Sequence, residues 1–160
     1  MPTEAEIWEA LKDVKDPEIP TISLVDLGVI TGVSISDDGT AHVSMTPTFV
    51  GCPAITYMKA DVRTRLLELG FERVEVDVNF DVQWNSNRIT DRGRLALREH
   101  GLAEPPRYEG VLELDVLNSV CCPNCNSART TLRSPFGPTL CRTLYYCNNC
   151  HQAFEGFKPL

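Results

Sequence analysis

Four cysteines near the end of this chain occur as two pairs, each with two residues between its members. The first pair is Cys122 and Cys125, and the second is Cys147 and Cys150. This spacing is typical of two tight turns that bring four thiolates to the corners of a tetrahedron, with zinc–sulfur bonds of about 2.3 Å. Because protein sulfurs would fill all four positions, the pattern predicts a structural zinc site without an open position for catalysis.

Two other chemistries remain open for these sulfurs: the same set could bind iron, or the pairs could act as redox-active dithiols. We favour zinc because strand-like segments surround the pairs at 128–133, 142–146 and 153–158, which predicts a zinc ribbon. Cys121 could replace Cys122 as a ligand, although the two-residue spacing favours Cys122. Cys141 is expected to be a small buried side chain.

The seventh cysteine, Cys52, lies between Gly51 and Pro53, where a long helix is predicted to begin. The first amides of a helix carry partial positive charge and would stabilise a thiolate there. A lone cysteine at a helix start is more often a packed small residue than a functional thiol. The spacing alone therefore leaves both interpretations open.

Polar residues on other predicted loops could complete a site around this thiol. Asp16 and Asp26 lie on loops that could converge on Cys52, and Thr46 could donate a hydrogen bond to a bound anion or sulfur. The simpler interpretation of the two aspartates is that they stabilise turns or cap helices.

The first hundred residues alternate between helical and strand periodicity. Thr3 and Glu6 fit a capping box, Gly39 fits a hairpin turn, and Gly70 fits a helix end. The predicted elements are helices at 4–14 and 53–69 and strands at 29–35, 41–46 and 74–83. This order predicts an α+β domain with a small three-stranded sheet and packed helices.

A further helix is predicted at 90–100 with Thr90 as its cap, and a short strand at 111–116. The proline-rich segment between them is the best linker candidate. The predicted organisation is an α+β domain at 1–102, a linker at 103–118 and a zinc ribbon at 119–160.

Charge and composition exclude several classes of protein. The 160 residues are 42% hydrophobic and 23% charged, which is typical of globular chains. The net charge is −10 over residues 1–120 and +3 over the remainder, and this acidic body disfavours nucleic-acid binding. No apolar run is long enough to span a bilayer, and the acidic start lacks a signal-peptide pattern, so we expect a cytoplasmic protein without a membrane partner.

Two segments resemble the signature of small iron–sulfur-assembly domains. They are Asp16 to Ile30 (DPEIPTISLVDLGVI) and Thr46 to Ala54 (TPTFVGCPA), and the resemblance extends over roughly 1–100. Together with the ribbon, the segments 84–101 and 136–147 make the chain similar to the PaaD proteins. These proteins accompany the multisubunit ring 1,2-phenylacetyl-CoA epoxidase of aerobic phenylacetate degradation.

The resemblance implies an accessory or maturation protein that assists iron or iron–sulfur centre assembly or repair through Cys52. Asp16, Asp26 and Thr46 lie in the matching segments. The implied cargo is a transient iron atom or iron–sulfur cluster, and the implied partners are the reductase or oxygenase component of the epoxidase, with a homodimer also possible. The ribbon would then be a docking surface, with Tyr145, Tyr146, Phe154 and Phe157 as candidate anchors.

Three alternatives remain open at this stage. The chain could be a structural subunit of the oxygenase complex that transfers no metal. It could be a nucleic-acid-binding ribbon protein, which its charge disfavours. It could be a thiol enzyme, although neither His42 nor His100 is placed by any motif as a base for Cys52.

Overall fold

The computed structural model describes residues 1–49, 51–109 and 114–159, and it divides the chain into two compact units, Met1–Trp84 and Asn85–Leu160. The first unit contains three helices and three strands. Its elements are α1 (Glu4–Leu11), α2 (Leu24–Leu27), β1 (Ile30–Ile35), β2 (Ala41–Met45), α3 (Ile55–Leu69) and β3 (Val74–Val78). The strands form a sheet in the order β1-β2-β3, which confirms the predicted α+β class.

Helix α1 begins as predicted and ends earlier than predicted. The Thr3 side chain accepts a hydrogen bond from the Glu6 amide, and the Glu6 side chain reaches back to the Thr3 amide. The helix stops at Leu11 because the Asp13 and Val14 amides bond to carbonyls three residues earlier, the pattern of a tightening final turn. Val14 is nevertheless buried, which explains its helical spacing in the sequence.

The sheet combines a hairpin with a parallel crossover. β1 and β2 are antiparallel around the predicted turn at Gly39, and β2 and β3 are parallel with α3 between them in the chain. Helices α1 and α3 pack against each other and against the sheet. Their buried residues include Ile7, Leu11, Met58, Val62 and Leu66.

Strand β3 is shorter than its sequence pattern predicts. The alternation of apolar residues continues to Val82, yet the strand ends at Val78, opposite Met45 at the end of β2. The last bond runs from the Asn79 amide to the Met45 carbonyl. Beyond this point no neighbouring strand is available within the described ranges, and Phe80 and Val82 are 58% and 37% exposed rather than buried.

The second unit begins with a 3-10 turn at Ser86–Arg88 and contains a four-stranded sheet. Its other elements are α4 (Asp91–Glu99), β4 (Leu102–Ala103), α5 (Leu114–Leu117), β5 (Thr130–Ser134), β6 (Arg142–Cys147) and β7 (Ala153–Phe157). The strand order is β4-β7-β6-β5. Strands β5, β6 and β7 form the predicted antiparallel ribbon, and Thr90 caps α4 as predicted.

The boundary between the units differs from the predicted one. Leu102 and Ala103 pair in parallel with Glu155 and Gly156 of β7, so the segment that contains α4 belongs to the ribbon unit and the division falls after Trp84. The predicted strand at 111–116 lies partly outside the described residues. Its remainder belongs to the short helix α5.

Aromatic residues of the ribbon form its core. Tyr145 is 1% exposed and packs with Ala103 and Val120, and its ring stacks on Phe154 at 5.4 Å between centroids. Phe157 is also buried. The prediction that Tyr145 and Phe157 serve as docking anchors is therefore wrong, because neither ring is available to a partner.

Candidate functional site

The four paired cysteines converge at one end of the ribbon. Cys122 and Cys125 lie on the turn before β5, Cys147 ends β6, and Cys150 lies on the turn before β7. All four sulfurs lie within 4.8 Å of one another. The Cys122 and Cys150 sulfurs are 3.7 Å apart, and the Cys125 and Cys147 sulfurs are 3.5 Å apart.

Each turn supports its sulfurs with N–H groups. The Asn124 amide donates to the Cys122 sulfur at 3.4 Å, and the Cys150 amide donates to the Cys147 sulfur at 3.5 Å. The side chains of Asn124 and Asn149 donate across the cluster to Cys150 and Cys125 at 3.7 and 3.6 Å. Such donors favour thiolates over thiols.

The left-handed residues of the two turns differ from Asn124 and Asn149, which the sequence alone would favour for this conformation. They are Asn126 and His151, both with φ of 61°, and each directly follows the second cysteine of its pair. His151 is exposed, and its ring nitrogen lies 3.3 Å from the Tyr146 hydroxyl.

Without a metal, the protein environment treats the thiols unequally. Burial raises the pKa of Cys122 to about 11, and the amide of Asn149 lowers the pKa of Cys125 to about 6. A tetrahedron with metal–sulfur bonds of about 2.3 Å has edges of about 3.8 Å, close to the two sulfur–sulfur distances given above. The donor set and its geometry therefore fit one tetrahedral thiolate-binding metal ion.

The other two cysteines of this unit lie outside the cluster. Cys121 is exposed, whereas Cys141 is 7% exposed and its sulfur lies 3.1 Å from the Thr139 hydroxyl. The buried environment of Cys141 matches the small buried side chain that the sequence predicts.

Cys52 lies in the first unit, on the loop between β2 and α3, and is partly exposed. Helix α3 begins at Ile55 instead of Pro53, and the Ile55 amide bonds to the Cys52 carbonyl at 3.3 Å. No side chain of the described residues caps the N-terminus at Ala54. The first-turn amides of a 15-residue helix therefore lie close in sequence to this thiol without a side-chain acceptor.

The end of the sheet positions this loop. The Thr46 amide bonds to the Val29 carbonyl at 2.9 Å, which ties the chain after β2 to the chain before β1. The Trp84 indole N–H donates to the Leu27 carbonyl at 3.0 Å. The loops that carry Asp26 and Cys52 consequently leave the same end of the sheet.

Thr46 and Asp26 differ in how their side chains are satisfied. Thr46 is fully buried, and its hydroxyl has no hydrogen-bond partner within the described part of the chain. The Ser23 hydroxyl donates to the Asp26 carboxylate at 2.9 Å and accepts from the Asp26 amide at 3.0 Å, so Asp26 takes part in the cap of α2.

Asp16 occupies a different part of the unit. It is 7% exposed, and its carboxylate accepts bonds from the Glu18 and Ile19 amides at 2.8 and 3.0 Å. It lines a surface groove beside Asp61 and Arg65. Asp61 is about 9 Å along the helix axis from Ile55, so the structure groups Asp16 with the second half of α3 and not with its Cys52 end.

Two exposed aromatic residues near this end of the sheet were not predicted as part of the site. Tyr57 in the first turn of α3 is 68% exposed, and Phe80 just after β3 is 58% exposed. The alternation that continues through Phe80 indicated a buried face, and it concealed this exposure.

Two family models match the chain. An iron–sulfur cluster assembly protein model matches residues 4–78, and a PaaD zinc beta ribbon domain model matches residues 110–158. Their order along the chain corresponds to the two units described above.

Similar proteins are found at both full and partial length. A protein from Escherichia coli, which carries the name "Putative 1,2-phenylacetyl-CoA epoxidase" and is designated one of its subunits, is 36% identical over 98% of this chain and 93% of its own length. A protein from Porphyromonas gingivalis named "Fe-S protein maturation auxiliary factor" is 36% identical over 59% of this chain and 90% of its own length. A crystal structure of a domain of unknown function, DUF59, from Bacillus anthracis has a TM-score of 0.54 and 28% identity, covering 59% of this chain and 90% of that one.

Proposed function

This chain belongs to the PaaD family, and from that premise we propose that it assists the assembly or repair of an iron or iron–sulfur centre in a phenylacetyl-CoA epoxidase system. A general role in iron–sulfur assembly is supported by the assembly-protein model and by relatives named as Fe-S maturation factors. The particular system is taken from the name of the full-length relative. Cys52 is the residue that we propose to hold the cargo.

The position of Cys52 carries this proposal. The thiol is partly exposed, lies on a loop that leaves the end of the sheet, and precedes a helix whose N-terminus has no side-chain cap among the described residues. Amides at a helix N-terminus stabilise a thiolate or a sulfide-bearing ligand. An accessible sulfur can bind cargo and release it, whereas a deeply buried one cannot.

The number of ligands limits how tightly one thiol can hold its cargo. Iron–sulfur clusters usually take about four protein ligands, and Cys52 supplies a single sulfur. The remaining ligands would come from the receiving protein or from a second copy of this chain. Cargo held in this way would be transient, which suits a delivery or repair factor.

We assign supporting roles to the other predicted residues according to their positions. The Thr46 hydroxyl would donate to the cargo because it is buried and has no hydrogen-bond partner among the described residues. Asp26 would position its loop through the cap of α2. Asp16 would hold the turn at Glu18 and Ile19 and would not contact the cargo.

The ribbon would be held together by zinc on Cys122, Cys125, Cys147 and Cys150. A zinc ion fixes the two turns relative to each other and stabilises the thiolate form of all four residues. Its role would be structural because every coordination position is taken by the protein. The chain itself would then not be catalytic and would act on the metal centre of another protein.

Contacts with a partner would use the apolar side chains that are exposed. Phe136 and Leu140, on the loop between β5 and β6, are 70% and 62% exposed. They replace the buried ribbon aromatics as candidate anchors. The reductase or oxygenase component of an epoxidase would be the receiving partner.

Metal analysis of matched variants tests the proposal. Wild type, Cys52→Ser and Cys121→Ser would be purified without oxygen from the same host, and iron and zinc would be measured in each. Cys121 is a suitable control because it is also exposed and lies outside the four-sulfur cluster. We expect about one zinc per chain in all three proteins, with iron present in wild type and Cys121→Ser and absent from Cys52→Ser.

Equal iron in the wild type and Cys52→Ser would contradict the role of Cys52. Epoxidase activity in cells that carry each variant gives an independent measurement, and we expect Cys52→Ser alone to lower it.

A structural subunit is the second candidate, because the full-length relative is named as a subunit of the epoxidase. Purification of this chain in fixed stoichiometry with the epoxidase components, together with normal activity of Cys52→Ser, would favour it.

A further inference from the structure

A surface groove in the second unit is used neither by Cys52 nor by the cysteine cluster. Its volume is about 410 Å³, within the range of small-molecule sites. Helix α4 and the segment that follows β4 form much of its wall. Three arginines line it, Arg94, Arg98 and Arg107. None of them has a part in the function proposed above.

Arg94 is a buried cation without a counter-ion. It is 5% exposed, and its guanidinium donates to the backbone carbonyls of Pro105 and Ser86. Its Nε–H has no acceptor, and Arg94 forms no ion pair with any carboxylate of residues 1–49, 51–109 and 114–159. Buried charges are normally paired because desolvation of an isolated ion is costly.

Arg98 adds a second uncompensated charge. It lies one helical turn after Arg94 on the same face of α4, where like charges four residues apart destabilise a helix by roughly 0.2–0.5 kcal/mol. Its described hydrogen bond is to the neutral side-chain oxygen of Asn126 at 3.2 Å. A bound anion would relieve this repulsion.

The acidic residues of the groove compensate only part of this charge. Asp91 is already paired with Arg107, and Glu104 is the other carboxylate in the wall. The groove therefore presents three guanidinium groups against two carboxylates. This balance favours an oxyanion over a cation or a neutral ligand, because guanidinium groups form paired hydrogen bonds to carboxylate and phosphate.

The groove also has an apolar part. Leu95 is 56% exposed beside Arg94 and Arg98, and Pro105 and Pro106 line the same groove. A ligand that only carried charge would leave this surface in water. We propose that the groove binds a small organic anion, with its oxyanion between Arg94 and Arg98 and its apolar body over Leu95 and Pro105.

Calorimetric titration of the full, zinc-loaded chain tests this site with three probes: inorganic phosphate, acetate and phenylacetate. We expect saturable binding of one ligand per chain, and phenylacetate should bind more tightly than acetate because it also covers Leu95. Tighter binding of phosphate than of either carboxylate would identify a phosphate-bearing ligand as the natural occupant. Absence of saturable binding by all three probes would overturn the proposal.

Matched variants locate the site. Arg98→Gln should weaken binding at least tenfold, whereas Arg92→Gln should change it less than twofold. Arg92 is an exposed residue of the same helix that does not line the groove, so the variants lose the same charge. Leu95→Ser should weaken phenylacetate binding and leave phosphate binding unchanged. Equal effects of Arg98→Gln and Arg92→Gln would assign the binding to general surface charge and overturn the site.

Discussion

At the scale of single residues, Thr46 lies where stability and function make opposite demands. A buried hydroxyl without a partner costs about 1–3 kcal/mol in desolvation, and Thr46 is fully buried without a hydrogen-bond partner in the described residues. The free protein would therefore tolerate an apolar residue at this position. A hydroxyl that receives its partner only when cargo binds would explain why a threonine is present.

Thr46→Val should therefore leave the free energy of unfolding unchanged or raise it by about 1 kcal/mol, while it lowers the iron retained on Cys52. Urea denaturation followed by tryptophan fluorescence measures the first effect, since Trp8 and Trp84 both belong to the first unit. Thr40→Val is the matched control at the other end of β2. Thr40 is also buried, but its side chain bonds to the Asp38 carboxylate, so this variant should be less stable than wild type. Equal destabilisation by both substitutions would contradict the assignment.

At the scale of secondary-structure elements, the ribbon depends on one close contact between β6 and β7. A Cβ atom added at Gly156 would lie 2.8 Å from the Tyr145 ring and 3.1 Å from the Thr143 hydroxyl. Tyr145 is the central residue of the ribbon core and cannot move without opening it.

Gly156→Ala should consequently destabilise the ribbon unit by about 1–3 kcal/mol through overpacking. Gly32→Ala is the matched control in a strand, because a Cβ atom at Gly32 would meet nothing within 4 Å. It should be neutral or slightly stabilising, since alanine restricts the unfolded chain. Thermal denaturation followed by circular dichroism compares the two variants, and an unchanged melting profile for Gly156→Ala would contradict the packing argument.

Elements with strong local signals could be predicted from the sequence. The capping residues Thr3 and Thr90, the hairpin turn at Gly39 and the ribbon strands all depend on neighbouring residues, and the structure confirms them. The convergence of the four sulfurs also follows from local turn spacing. These features needed no knowledge of distant contacts.

Features that depend on distant partners could not be predicted. β3 stops at Val78 because β2 ends opposite it, although the alternation continues in the sequence. The two-residue strand β4 is too short to give a signal, yet its pairing with β7 moves the boundary of the second unit to Asn85. The placement of Asp16 beside α3 also depends on tertiary packing and separates it from Cys52.

At the scale of the whole molecule, the two units differ in charge. Residues 1–84 carry 6 Lys and Arg against 15 Asp and Glu, whereas residues 85–160 carry 9 against 7. The acidic first unit would repel polyanions and favour encounter with basic protein surfaces. In the described part of the chain, no helix has the length and hydropathy needed to cross a bilayer.

The two units should also respond differently to loss of metal. The first has an extended core between sheet and helices, whereas the ribbon core consists of a few residues around Tyr145, so metal binding would supply much of its folding free energy. A zinc chelator, or Cys147→Ser, should abolish protection from hydrogen exchange in 119–159 and preserve it in β1, β2 and α3. Cys141→Ser, a buried cysteine outside the cluster, should keep both the metal and the protection. Full protection of 119–159 after elemental analysis has verified metal loss would show that the ribbon folds without its metal and would refute this division of stability.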